Sequence, residues 1–280
     1  MKIFYKWIKR IFYFFGYIFL FIFCLYIILN IFTKPSNDRN WNNDQKLLSY
    51  VDIDENLITI HNIRNFSYTS PSDYEIDYYD KIFDLNKIKK VWYIVEPFSG
   101  IPGSAHTFLS FEFEDNQFVA ISVEIRKEKG ETYSPLKGLF NQYEIMYVVG
   151  DENDVIKLRS NYRRDLVYLY PGKTTKEKSQ ALFLDMTQRV NDLKQRPEFY
   201  NTIINTCTTN IVRHINKITP DKIPLLSISI LFPENSDELA YKLGLIDTDL
   251  TFEKSREKFL INERAMKYAD DPNFSLKIRE

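Results

Sequence analysis

A chain of 280 residues with 44% hydrophobic and 27% charged side chains has the composition of a folded globular protein that carries an additional apolar stretch. Its net charge of −1 at pH 7 leaves no basic surplus for phosphate contacts, so nucleic acid is not an expected partner.

In chain order, residues 1–10 form a basic stub with Lys2, Lys6, Lys9 and Arg10. Residues 11–32, "IFYFFGYIFLFIFCLYIILNIF", are 22 residues without a charge, and about 20 such residues suffice to cross a bilayer core as a helix. Close on the far side stand only Lys34 and Arg39, with Asp38 between. That asymmetry predicts a cytoplasmic N-terminus and a body on the far side. A cleaved signal peptide is the rival, but the apolar run is long for one and "NIFTKPS" offers no small-residue cleavage site.

Residues 33–44, which include "PSNDRNWNND", read as a polar, turn-rich linker, and 45–280 read as one domain without repeats or a second linker. Strand character is concentrated at 57–60, 91–96, 106–113, 117–125, 144–149 and 166–170. "EDN" at 114–116 separates two of these runs so closely that a hairpin is expected. Thr174 and Glu177 have capping-box spacing ahead of a helix that ends before Pro197. Further helices are expected from Thr206 to Lys217, over 237–245, and from Phe252 to Tyr268. This grouping predicts an α+β fold, an antiparallel sheet with helices packed against it.

Cys24 lies within the apolar run and is poorly placed to reach Cys207, which leaves Cys207 as a lone thiol in an oxidising compartment. It is either a small core side chain or a reactive one. Asn205 or Thr206 as N-cap would place it in the first turn of a helix, where unsatisfied N–H groups stabilise a thiolate. A cysteine nucleophile needs a base, and the chain has three histidines. His214 is two turns away on the same helix, roughly 10 Å, and out of reach. His61 lies between short strands early in the domain. His106 opens a strand behind the Gly/Pro-rich "EPFSGIPGSA".

The partner strand ends in "SVEIRKEKGETY". A three-residue turn would bring Glu124 and Arg126 to the His106 side, and a two-residue turn would offer Ser122 and Glu124 on the other face; the sequence leaves both open. On the first register Glu124 would orient the His106 ring. The alternative is a solvated charge run. His106, Glu124, Glu131 and Cys207 could also be read as metal ligands, but HExxH and CxxC spacings are lacking, and no metal or cofactor is expected.

"AHTFLSFEF", "SVEIRKEKGETYSPLKGLFNQYEIMYVVGDENDVIKLRSNYR", "VYLYPGK", "RPEFYNTIINTCTTNI" and "LAYKLGLIDTDL" together resemble the bacterial family of the Lnb N-terminal periplasmic domain, over about residues 37–280. "GDEND" at 150–154 departs from that pattern, where a second basic residue is expected. The family is similar to circularly permuted papain-like thiol enzymes of the NlpC type, in which the histidine strand precedes the cysteine helix. The resemblance implies a papain-like fold held at the bacterial inner membrane by 11–32, with the body in the periplasm. It implies Cys207 as nucleophile, His106 as base and Glu124 as orienter, with Arg126, Glu131 and Asn205 lining the cleft. The expected activity is a cysteine-dependent hydrolase (amidase or peptidase) or acyltransferase on envelope peptides or lipid-linked acyl groups. The second expectation is a non-catalytic envelope binding or assembly module that keeps the fold.

Overall fold

The computed structural model describes residues 2–280, without the side chains of residues 2, 3 and 29–31. α1 (Lys2–Phe32) is a single 31-residue helix. Its stretch Phe4–Ile28 is long and apolar enough to cross a membrane, and none of it is buried in the protein. At 1.5 Å per residue those 25 residues extend about 37 Å, more than the ~30 Å of a hydrocarbon core. The basic residues expected to form a separate stub belong to this helix, because Lys and Arg are good helix formers and nothing before Gly16 interrupts them.

The segment expected as a linker at 33–44 is instead fastened to the body. The Ser36 N–H donates to Glu144 Oε1 (3.0 Å) and Asn37 Nδ2 to the Leu193 and Lys194 carbonyls (3.0 and 2.8 Å). Trp41 is 4% exposed, donates Nε1–H to the Asn37 carbonyl, and lies under the Arg126 guanidinium at 4.2 Å.

Ten strands follow: β1 (Tyr50–Asp54), β2 (Leu57–Arg64), β3 (Ser67–Ser70), β4 (Asp73–Glu75), β5 (Tyr78–Asp84), β6 (Ile88–Pro97), β7 (Ala105–Phe113), β8 (Gln117–Arg126), β9 (Glu144–Gly150) and β10 (Tyr168–Pro171). Eight build one sheet in the order β1-β2-β9-β8-β7-β6-β10, with β5 also on β2, while β3 and β4 pair separately. Its ladders are antiparallel except for one parallel bridge, Arg64↔Gly150, between β2 and β9. The helices are α2 (Pro135–Leu139), α3 (Glu152–Lys157) continuing as a π-turn through Leu158–Arg163, α4 (Lys176–Gln195), α5 (Cys207–Ile218), α6 (Ile228–Leu231), α7 (Ser236–Lys242), α8 (Phe252–Phe259), α9 (Asn262–Lys267) and α10 (Phe274–Lys277). The fold is α+β.

Strand periodicity divides the core between the two faces of the sheet. Leu109, Phe111 and Phe113 of β7 pack with Leu182, Phe183 and Met186 of α4 and Ile211 of α5. Phe108, just before Leu109 in β7, faces the other way, toward Val155 and Ile156 of α3 and Phe274 of α10.

The strands β1, β3, β4 and β5 and the short helices α2, α6 and α10 were not among the expected elements, and three further elements differ from expectation. Thr175, not Thr174, caps α4, accepting from the Lys178 N–H. The helix expected over 252–268 breaks at Leu260, which is extended (φ −70°, ψ 117°), while the Ile261 N–H donates to the Val167 carbonyl (3.0 Å). Asn262 fixes that break, accepting from Val167 N–H (2.9 Å) and donating to the Asp165 carbonyl (2.7 Å). α3 was not foreseen.

Because Trp41 fills a closed site, Trp41→Ala should destabilise the chain by about 3–5 kcal/mol, the usual cost of truncating a buried tryptophan. Urea denaturation of the detergent-solubilised protein, followed by circular dichroism, measures this.

Candidate functional site

The β7–β8 ladder runs from Phe113↔Gln117 to Phe108↔Ser122 and stops there. Three residues, 114–116, make the turn, with Asp115 and Asn116 in the left-handed region that Asp and Asn tolerate (φ 59° and 55°). Beyond Phe108 the start of β7 stays on β6, out to Pro97↔Ala105, and the end of β8 stays on β9, out to Arg126↔Glu144. The sheet therefore parts between them. A cleft of about 450 Å³ occupies the gap, lined by His106, Glu124 and Arg159 and also by Tyr133, Tyr200 and Cys207.

Cys207 is the first residue of α5. Thr206 caps the helix by accepting from the Thr209 N–H, and Thr209 Oγ1 accepts from the Thr206 N–H in return (2.7 Å), a complete capping box. The thiol is 8% exposed, with Thr208 Oγ1 at 3.7 Å. A 3.0 Å hydrogen bond between Thr208 Oγ1 and Thr107 Oγ1 seats the helix start on β7. Thr107 points to the α5 face, so its neighbour His106 points to the α3 face, stacked beside Phe108 at 5.5 Å. Cys207 and His106 thus reach one cleft from the two faces of the sheet, and no hydrogen bond joins them among the described residues.

The His106 environment fixes its tautomer. Ser122 Oγ donates to Glu124 Oε1 (2.9 Å), since a carboxylate only accepts. Its oxygen must then accept from His106 Nε2–H at 2.7 Å. Nδ1 is left with its lone pair and no hydrogen bond among the described residues. Glu124 lies 4.0 Å from Nε2, so the orientation expected from it directly passes through the Ser122 hydroxyl. Burial, and secondarily the Arg159 charge, push the His106 pKa down to about 3, against the opposing pull of Glu124. The imidazole is neutral at pH 7.

Arg159, overlooked in the sequence, organises this wall. It is 2% exposed and donates Nε–H to Glu96 Oε2 (2.7 Å), Nη2–H to Glu124 Oε1 (2.8 Å) and Nη1–H to the Val155 carbonyl (2.6 Å), with its carbon 4.9 Å from the Phe108 ring centre. Burial pushes the Glu96 carboxyl up to about 7, opposed by Arg159 and Arg163. Glu124, though buried, is held well below the usual carboxylate range by the Arg159 and Arg64 charges and the Ser122 hydrogen bond. Arg64 also lines the cleft and is clamped by Asp154 through Nε and Nη2 (2.8 and 2.9 Å). "DENDVI" carried the available signal for the helix that brings Arg159: an Asp cap, acidic residues in the first turn, then Val155 and Ile156.

The remaining candidates lie elsewhere. Arg126 does not line the cleft: it donates to the Gln45 and Lys46 carbonyls (2.9 and 2.8 Å) and to Asn37 Oδ1 (2.8 Å). Glu131 accepts from the Glu128 N–H (2.8 Å), closing a surface turn. Asn205 braces the loop before α5, donating to the Phe199 carbonyl (2.8 Å) and accepting from Asn210 and Arg213 (2.9 and 3.0 Å). His61 sits between Asp80 and Asp52 (2.6 and 3.1 Å), and His214 is buried between Tyr147 and Asp185 (2.7 and 2.6 Å). Among the described residues, no three His, Cys, Asp or Glu side chains gather as a set that could hold a metal.

Arg159→Met should cost more than about 3 kcal/mol, because it strands two buried carboxylates. In a variant that remains folded, such as Arg159→Lys, the His106 resonance should still titrate far below 6.5. In a Glu96→Gln background, which removes the opposing proton uptake of a carboxyl raised to about 7, the protein should lose stability as pH falls from 6.5 toward 3, where the unfolded chain takes up a proton that buried His106 refuses. Histidine NMR titration, with denaturation at pH 7 and pH 5, tests both.

A family model described as the Lnb N-terminal periplasmic domain matches residues 74–234. No curated protein and no solved structure matches the chain. The matched region covers more than half of the 280 residues and contains His106, Ser122, Glu124, Arg159 and Cys207. With α1 ahead of it, this is compatible with a single-pass inner-membrane protein whose body is periplasmic. The chain belongs to the family of the Lnb N-terminal periplasmic domain.

Proposed function

We propose that the protein is a membrane-anchored periplasmic thiol hydrolase or acyltransferase acting on an amide or ester carbonyl of an envelope peptide or lipid-linked acyl group, on a permuted papain-like plan. One observation carries the reading: a thiol at the start of a capped helix and a neutral imidazole with its Nδ1 lone pair unclaimed line the same cleft. The chain order, histidine strand before cysteine helix, is that of the permuted papain-like enzymes.

In this mechanism Cys207 Sγ attacks the carbonyl carbon as its proton passes to His106 Nδ1, with substrate entry bringing the two groups together across the gap. The S–C bond forms, and first-turn N–H groups of α5 that the Thr206 cap leaves unused receive the oxyanion. The proton on Nδ1 then goes to the departing nitrogen or oxygen as its bond to carbon breaks. Water or an acceptor hydroxyl, deprotonated by the same Nδ1, forms a C–O bond to the thioester carbon, the C–S bond breaks, and the proton returns from Nδ1 to Cys207 Sγ. Ser122 and Glu124 hold Nε2–H throughout, which keeps the free lone pair on Nδ1.

The second reading, a non-catalytic envelope module, draws on the absence of a Cys207–His106 hydrogen bond among the described residues and on their approach from opposite faces. The two readings part in one experiment. In a Cys24→Ser background, p-nitrophenyl ester probes should acylate Cys207, read as added mass on its peptide. His106→Ala should slow acylation about 100-fold or more, the lower range of general-base contributions. Ser122→Ala should slow it less, about 10-fold, by freeing the tautomer. Acylation no faster than that of free cysteine, and indifferent to His106, would leave the module reading in place. The rate should show no histidine-dependent step near pH 6.5, because His106 stays neutral down to about 3.

A further inference from the structure

A second cavity of about 410 Å³ lies on the α5 face of the sheet, walled by Leu109, Leu182, Ile211, Ile215, Leu239 and Leu245 among others. Its size is within the roughly 300–1,000 Å³ of sites that enclose small organic ligands. The polar groups on its wall are engaged within the protein. Tyr93 donates its hydroxyl to Ser236 Oγ (2.7 Å), Thr208 is bonded to Thr107 (3.0 Å), and Thr219 Oγ1 donates to the Ile215 and Asp221 carbonyls (3.0 and 3.1 Å). Nothing on that wall rewards water, and an apolar cavity of this kind takes up an apolar guest.

The rim is different in kind. Lys173 and Lys178 line the cavity beside Thr174 and Thr175, and neither lysine takes part in an ion pair among the described residues. Glu177, beside Lys178 in the chain, turns back onto its own backbone and the Thr175 cap, and Asp247, next to the Gly172–Ile246 bridge, is paired with Lys90 (3.0 Å). An apolar interior below two lysines that form no ion pair among the described residues is complementary to a molecule with a long alkyl body and an anionic end.

We infer that this cavity binds a long-chain fatty acid, the alkyl chain among the leucines and isoleucines of α4, α5 and α7 and the carboxylate at Lys173 and Lys178. The binding does not depend on the thiol reading. Ile230 lines both this cavity and the Cys207 cleft, so the two sites share a wall.

The test uses the full chain in lipid nanodiscs and a photoactivatable hexadecanoate with a terminal diazirine. Its cross-links should map to peptides of α4, α5 and α7 and be competed by hexadecanoate at least 10-fold better than by octanoate. Ile215→Trp, which fills the cavity, should reduce the yield at least 10-fold. The surface double variant Lys173→Glu/Lys178→Glu, which leaves the core intact, should weaken capture several-fold. Cys207→Ser should leave it unchanged, and a hexadecylamine analogue should compete poorly. Cross-links confined to α1, equal competition by the amine, or capture indifferent to both the filling and the rim variants would each overturn the assignment. None of these readouts involves acylation, so failure here and failure of the proposed catalysis are separate results.

Discussion

A guanidinium buried between two carboxylates holds the molecule together where its sheet fails. The β7–β8 ladder ends at Phe108↔Ser122, and beyond that point the strands on either side of β7 have no common backbone partner. Arg159 spans the gap, taking Glu96 from β6 and Glu124 from β8. Desolvation takes back much of what such a buried cluster gains electrostatically, so its value lies less in stability than in position. Each of the three charges is tolerable in the interior only while the other two are in place. The width of the cleft is thereby tied to a fixed set of hydrogen bonds, and the same positive charge adds to burial in keeping His106 neutral.

Runs of Val, Ile, Tyr and Phe between turn residues made the central strands readable, because one face of each is covered by α4 and α5 and the other by α3 and the C-terminal helices, so both faces are buried. The "EDN" turn and the threonine cap of α5 were readable for the same reason: each is local chemistry with few alternatives. α3 was not, because its first turn carries Glu152 and Asp154, both fully buried and answered by arginines distant in the chain, Arg279 and Arg64. Polar residues on an inward face erase the apolar periodicity on which a helix assignment rests.

The site followed the same division. Cys207, His106 and Glu124 were legible as residue types in suggestive places, and the structure brings all three to one cleft. Register also put Arg126 on the His106 side, but a long side chain need not stay where its Cβ points, and this one runs out to the segment at 37–46. Ser122 was expected only with a two-residue turn and on the other face, whereas the three-residue turn sets it on the His106 side, because Ser122 and Glu124 share one face of β8. Arg159 arrives from a helix 35 residues beyond Glu124, a relation that no local pattern in either segment encodes.

The fastening of the segment after α1 has a geometric consequence. Three residues separate Phe32, the last of the helix, from Ser36, whose N–H is bonded to Glu144. Four Cα steps reach at most about 14 Å when fully drawn out. With α1 spanning a bilayer, a body on so short a leash can rock against the lipid but cannot range away from it. Its openings sample angles to the headgroup layer at nearly constant height, and a guest must come to that layer to be met.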